Sequence, residues 1–394
     1  MKYRSICNVL TILLTFILML SLNNAYAQTS VDVKDLTISD QRGDLGQSIA
    51  IGGTIVWAGT TTPVPDENIT RVEVRYGAIV KGSCTVSCST FTISFTAPNT
   101  VGRSDYHIWA QGTWGTSDIT AKTVSFIADR LIVTDLGVSD SRADVDSDQI
   151  VWWKLAYDYD DTRFDNTKGS VTIGGQSATW RNSRWERTVT SSSVTETTYQ
   201  VGYLDSTYSL IGPISGTTSQ KIIWDRIRVI DAGVTDSRAN VGSTQTVWFK
   251  LKYEYDGVIF DSSKGSVRIG DSSATWVSSS SRWERKVSSN QVQKVNYTVA
   301  VTDSLYDLTA IGGEAGKSII WDRIKVTSIS ANDVRLDLGK TAKIWVTAEL
   351  EYDGTPIGSG DELSINSLQL TWDSSNERWE ASVKRSDVGA MTFD

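Results

Sequence analysis

The string IIWDRIRVIDAGVTDSRANVG begins at Ile222, and IIWDRIKVTSISANDVRLDLG begins at Ile319, 97 residues later. An earlier copy, FIADRLIVTDLGVSDSRADVD, begins at Phe126. Other landmarks keep the same step: VWWKLAYDYDD, VWFKLKYEYDG and IWVTAELEYDG; SATW, SATW and QLTW; RWER, RWER and RWEA. A period of that length is a whole-domain repeat, the size of one sandwich domain and too long for a solenoid unit. Any fold for this chain must therefore be one compact design used several times.

The landmarks place repeats at 128–224, 225–321 and 322–394, with 28–127 a divergent first copy. The first copy lacks the SATW and RWE landmarks, but its opening LTISDQRGDLG aligns with LGVSDSRADVD one repeat on. In the last repeat Phe393 stands where Tyr297 stands in the third, so by repeat counting roughly a quarter of a unit is missing. Residues 1–27 read as a secretory signal: Lys2 and Arg4, an apolar run from Ile6 to Leu22, then the small-x-small site Ala25-Tyr26-Ala27. No later segment is apolar enough to cross a bilayer as a helix, so the mature chain is expected outside the cell, secreted or at its surface.

Strand chemistry dominates every repeat. Val, Ile, Thr, Tyr and Trp alternate with polar residues, and Gly, Asp, Asn and Ser cluster between the runs. In VWFKLKYEYDG, Val247, Phe249, Leu251, Tyr253 and Tyr255 share one face, with Trp153, Leu155, Tyr157 and Tyr159 as counterparts. The expected fold class is all-β: tandem Ig-like antiparallel sandwiches, end to end, after the signal peptide. SVRIGDSSATW reads as a short hairpin turning at Gly270-Asp271. IIWDRI passes from the last strand of one repeat into the first strand of the next with no Gly, Pro or Ser linker, which predicts restrained junctions.

Arg42-Gly43-Asp44 has the letters of an integrin-binding tripeptide, yet it falls on Arg142-Ala143-Asp144, Arg238-Ala239-Asn240 and Arg335-Leu336-Asp337. Four copies of Asp-x-Arg-x-[Asp/Asn] point to a structural turn after the first strand, fixed by an Asp–Arg pair or an Asx turn. A three-residue motif is weak evidence beside that repetition.

Removing the leader takes away two basic residues and no acid, leaving 36 basic against 46 acidic side chains, a net charge of −10. An acidic, well-mixed surface argues against nucleic acid as a partner. Cys84 and Cys88 are expected to form a local disulfide in an oxidising compartment. With His107 the only histidine, neither a zinc shell nor acid–base catalysis finds its residues, and no phosphate loop or nucleophile elbow appears. The chain is read as a non-enzyme. Carboxylate pairs such as Asp158/Asp160 and Glu254/Asp256 read as a solvated strand edge.

No cofactor is expected, and calcium is the one ligand weighed. Its candidates are the junction acids Asp129, Asp225 and Asp322 and the loop acids Asp144, Asp146 and Asp148. Asn68-Ile69-Thr70 and Asn296-Tyr297-Thr298 are glycosylation sequons. Trp180, Trp276 and Trp372 read as core. Trp152, Trp248 and Trp345 fall on the wet face, either stacked on the Asp-x-Arg arginine, capping a junction, or forming a sugar platform.

The run W-F-K-L-x-Y-E-Y-D-G, G-S-V-x-I-G, S-A-T-W, R-W-E and S-I-I-W-D-R-I resembles tandem β-sandwich repeats of large archaeal secreted surface proteins, over residues 128–394. The resemblance implies architecture and location and brings no catalytic residues. Together these readings describe an exported stalk or spacer whose partners are other cell-surface or envelope components. An adhesive or carbohydrate-binding array and the accessory region of a larger secreted enzyme are the alternatives.

Overall fold

The structure, a computed structural model, describes residues 30–392. The signal peptide lies outside them. The described residues contain strands and one 3-10 turn at Asp66–Asn68, and no helix among them is long and apolar enough to cross a membrane. They form two compact units. One runs up to Asp140 and adds Asp148–Val189 and Thr198–Lys221; the other holds Ser141–Ser147, Thr190–Thr197 and Ile222 onward.

In the first repeat, Val31–Ile38, Ser48–Trp57 and Thr90–Thr96 make a three-stranded sheet in that order. The opposing sheet runs Arg42–Asp44, Gly115–Asp129, Gly102–Gly112, Ile69–Tyr76, Ile79–Cys84. Alternate residues of both sheets, Val33, Ile49, Ile51, Val72, Val74, Tyr106 and Ile108 among them, meet in one core. The chain's first strand is split: its leading part edges one sheet, and its three-residue tail crosses to the other. That division and strand order are those of an immunoglobulin-like sandwich.

The third repeat uses the same plan. Thr275–Val277, Arg282–Val287, Gln245–Tyr253 and Ile227–Val234 form one sheet, with Ile311–Gly312 added at its edge. Arg238–Asn240, Gly316–Asp322, Gln293–Asp303, Gly265–Ile269 and Ser272–Ser273 form the other. Ile269 pairs with Ser272, so the hairpin turns on Gly270-Asp271 as its sequence requires. In the fourth, Ile324–Ala331, Thr341–Leu350, Arg378–Lys384 and Thr371–Asp373 make the first sheet. Among the described residues its opposing sheet is represented by the hairpin Ser364–Ile365/Leu368–Gln369.

Two sequence expectations change. The strand of VWFKLKYEYDG ends at Tyr253, and Tyr255, like Tyr159, stands in the following turn, 39% and 38% exposed. The chain reverses there, with the Tyr253 N–H donating to the Val258 carbonyl, so strand alternation stops two residues early. The fully buried tryptophans of the RWE strands are Trp185, Trp283 and Trp379, each donating its indole N–H to a carbonyl (Phe164, Phe260 and Ile357). Trp180, Trp276 and Trp372 are half-buried and pack against them, ring centres 5.4, 5.6 and 5.5 Å apart. They lie on the short edge strand, where one side of the ring has no neighbour to cover it.

Candidate functional site: the repeat junction

One residue separates consecutive repeats. Strand Gly115–Asp129 ends, Arg130 follows, and Leu131–Val138 begins; Arg226 and Arg323 occupy the same place later. Such a short connection leaves the flanking strands little freedom, and the side chains around it remove more.

Arg42 lies on a strand, not in a turn. Arg42–Asp44 pairs in parallel with Ile127–Asp129, which buries the tripeptide. The Asx turn expected from the motif occurs just upstream, where Asp236 and Asp333 accept the N–H of Arg238 and Arg335. The Arg42 guanidinium donates to Asp129 Oδ2 at 2.8 and 2.5 Å and to Asp160 Oδ2 at 2.8 Å. Its carbon sits 4.3 Å from the Tyr208 ring centre and 4.6 Å from that of Tyr157. Two tyrosines and two carboxylates therefore form a socket around one planar cation, the arrangement that favours arginine over lysine. Asp44 completes the contact by accepting the N–H groups of Ile211 and Gly212, both at 2.8 Å. Arg42 and Asp44 are each 8% exposed, so the tripeptide is spent inside the protein and has nothing to offer an integrin.

The socket is itself braced. Tyr157 donates its hydroxyl to Asp205 at 2.9 Å, and Asp205 also accepts the N–H groups of Thr207, Tyr208 and Leu210. This carboxylate shapes the loop that carries Tyr208, Ile211 and Gly212. At the linker, Arg130 pairs with Asp158 at 2.8 Å.

The second junction repeats the design. Arg142 donates to Asp225 and Asp256, with Tyr306 at 4.1 Å and Tyr253 at 4.8 Å. Asp144 accepts the N–H groups of Thr309 and Ala310, and Tyr253 donates to Asp303 at 2.8 Å. At the third junction Arg238 reaches Asp353 closely and Asp322 at 3.7 Å. Asp160 and Asp256, expected on a solvated edge, are thus latch residues. Asp158 and Glu254 pair with the linker arginines.

Burial opposes the charge of Arg42, but its hydrogen bonds to Asp160 and Asp129 outweigh that, and its pKa is raised. The bond from Arg42, ahead of a smaller burial effect, holds the Asp160 carboxyl down at about 2. A depressed carboxylate contributes stability in full above its unfolded pKa of about 3.9 and loses it as pH falls through the folded value. Asp160 is therefore expected to keep its latch intact at pH 4 and release it near pH 2. The Thr162 amide, bonded to Asp160 Oδ1, reports this by NMR; a midpoint near 4 would contradict it.

Of the calcium candidates, Asp129, Asp225, Asp322 and Asp144 carry other partners, Asp322 accepting the Arg323 and Tyr352 N–H groups through Oδ1. Asp129 and Asp225 hold a guanidinium through Oδ2 and accept the Tyr159 and Tyr255 N–H groups through Oδ1. Asp144 is occupied by amides, and Asp146 and Asp148 are exposed. N–H donors surround these oxygens where a calcium shell would need further oxygens. Among the described residues no group of three or more His, Cys, Asp or Glu is arranged to hold a metal. His107 is buried in the first repeat with Nε2 2.9 Å from Asp118.

Cys84 and Cys88 are disulfide-bonded, closing the short loop between two strands of the first repeat. Asn68 is half-buried in the 3-10 turn, and Asn296 is exposed on Gln293–Asp303. Trp152, Trp248 and Trp345 do stack on arginines, but on those of the RWE strands. Arg184, Arg282 and Arg378 lie 4.7, 4.6 and 4.2 Å from their ring centres. Beneath them, a Cβ on Gly137 or Gly233 would meet the Trp152 or Trp248 ring at 2.6 or 2.5 Å, so the indoles lie flat over glycine. Arg282→Ala is expected to cost about 0.5–1 kcal/mol in urea denaturation, the value of a half-exposed cation–π pair.

No family model and no curated protein matches the chain. Among solved structures it is similar to three N-terminal domains of the bacteriophage RB49 highly immunogenic outer capsid protein, at 11% identity and TM-score 0.36, covering 74% of this chain and 99% of that one. The titin I-band fragment I67–I69 is similar at 10% identity and TM-score 0.35, covering 74% and 97%. Invasin, a bacterial integrin-binding protein, is similar at 12% identity and TM-score 0.27, covering 91% and 74%. All are distant likenesses; the strand order above is what establishes the immunoglobulin-like plan.

Proposed function

We propose that this chain is a non-enzymatic, exported surface protein that acts as a stalk or spacer, built from four tandem sandwiches joined at single-arginine linkers. The observation that carries this reading is the repeated latch, in which a buried arginine of one repeat is clasped by acids and tyrosines of the next. Catalysis gives no reason to duplicate such a contact, whereas a spacer gains from one at each of the first two joints, where it is complete. The guanidinium supplies the positive charge that calcium would bring to a junction, so the joints stiffen without a metal. Envelope components, and glycans on them, are the partners this reading assigns to the ends of the stalk. As a sugar platform the outer tryptophans are poorly placed, each with an arginine over its ring.

Small-angle X-ray scattering on residues 28–394 tests the stalk. Strands of roughly 7 residues at ~3.4 Å each, together with the loops at both ends, give about 35–40 Å per repeat, and four repeats in line a maximum dimension of about 150 Å by the same arithmetic. A particle of about half that length would mean the repeats fold back on one another, and the spacer reading would fail.

A further inference from the structure

We propose that Asn296 is the attachment site of an N-linked glycan and that Asn68, the other sequon, is not. The two read alike in the sequence, and the fold separates them. Asn296 lies within strand Gln293–Asp303, where it pairs with Ser318, and Thr298 pairs with Gly316. Residues two apart on a strand point to the same side, so the Asn296 carboxamide and the Thr298 hydroxyl stand together on the outer face, both exposed, with Tyr297 buried between them. Neither side chain makes a hydrogen bond among the described residues. Asparagine is depleted in strands, and here neither packing nor a hydrogen bond accounts for it.

The surroundings leave room for a bulky group. Ser318 and Gly316 lie across one side, and on the other Gly270 donates its N–H to the Thr298 carbonyl. A Cβ added to Gly316 would meet nothing nearer than 3.8 Å. At the corresponding positions the second repeat has Thr198, Gln200, Ser219 and Lys221, so the third repeat combines its sequon with smaller neighbours across the strand. A glycan is large and hydrated, and a folded domain can carry one only where the attachment point is at the surface. Asn68 does not meet that condition. It is half-buried at the end of the 3-10 turn Asp66–Asn68, its carbonyl accepts the Thr113 N–H, and the turn takes it out of line with Thr70.

The donor class is a lipid-linked oligosaccharide. Asn296 Nδ2 attacks the anomeric carbon, and the bond from that carbon to the lipid phosphate oxygen breaks. The lipid phosphate leaves with the electron pair while Nδ2 gives up one proton, with no change of oxidation state.

The inference rests on the export proposed above. Its test uses the full chain, expressed with its leader in cells that glycosylate Asn-x-Ser/Thr, with the exported fraction digested by trypsin and mapped by mass spectrometry. Peptide 295–317 should carry a mass increment of whole sugar residues, and peptide 43–71 should not. The increment should be lost in Asn296→Gln and in Thr298→Val, return in Thr298→Ser, and persist in Asn68→Gln. An exported chain with peptide 295–317 unmodified, or with peptide 43–71 modified to the same extent, would overturn this inference alone. A chain retained with its leader intact would overturn the export reading and this one with it.

Discussion

Arg42→Ala should cost about 3–5 kcal/mol, read as a shift of the urea transition, because it strands buried charge instead of merely deleting a contact. Asp129 is fully buried and would lose the guanidinium that satisfies its Oδ2, keeping the Tyr159 amide at Oδ1. Two tyrosines would lose the cation between them. Arg42→Lys separates these effects: it restores the charge but not the planar fork that reaches Asp129 and Asp160 together. About half the loss should return. A cost below about 1 kcal/mol for the alanine variant would place the latch among ordinary surface ion pairs.

Asp303→Ala is expected to act on the second junction without touching Arg142 or Asp144, through the two tyrosines that flank the guanidinium. Its carboxylate, 4% exposed, accepts the Tyr253 hydroxyl and the N–H groups of Leu305, Tyr306 and Leu308. Two of those donors, the Tyr253 hydroxyl and the Leu308 N–H, are buried, and orphaning them should cost about 3 kcal/mol, at ~1–3 for each buried group left unsatisfied. The loop so released carries Tyr306 to Arg142 and the Thr309 and Ala310 amides to Asp144. Asp303→Ala and Arg142→Ala should therefore be non-additive, with a coupling of about 1 kcal/mol or more in a double-mutant cycle. Additive losses would show that the loop and the latch are independent.

The sandwich class was legible because strand alternation and turn chemistry are local, and the tandem order because one landmark set recurs. The short linker was legible too, since WDR leaves no room for anything longer. The latch was not. Arg42 meets Asp129 and Asp160 at separations of 87 and 118 residues, and nothing within one repeat shows that YDYD faces the previous repeat's arginine. The available signal was joint recurrence: wherever Asp-x-Arg repeats, a Tyr-Asp turn follows in the next copy. Tyr208 and Tyr306 escaped notice because they sit on loops whose path is set by a buried aspartate. The outer tryptophans found a different arginine from the expected one because Trp152 pairs in register with Glu186, which places Arg184 beside it across the strands.

Amide hydrogen exchange at Ile211 and Gly212 tests the central claim most directly, since each donates its N–H to Asp44 of the preceding repeat. Ile211 is 87% exposed, so an unlatched loop would exchange at nearly the free rate. The account predicts protection of both amides comparable to the strands of the same sandwich, lost together in Asp44→Ala. Loop-like exchange in the unmodified chain would mean that the junction opens freely and that its arginine is no latch.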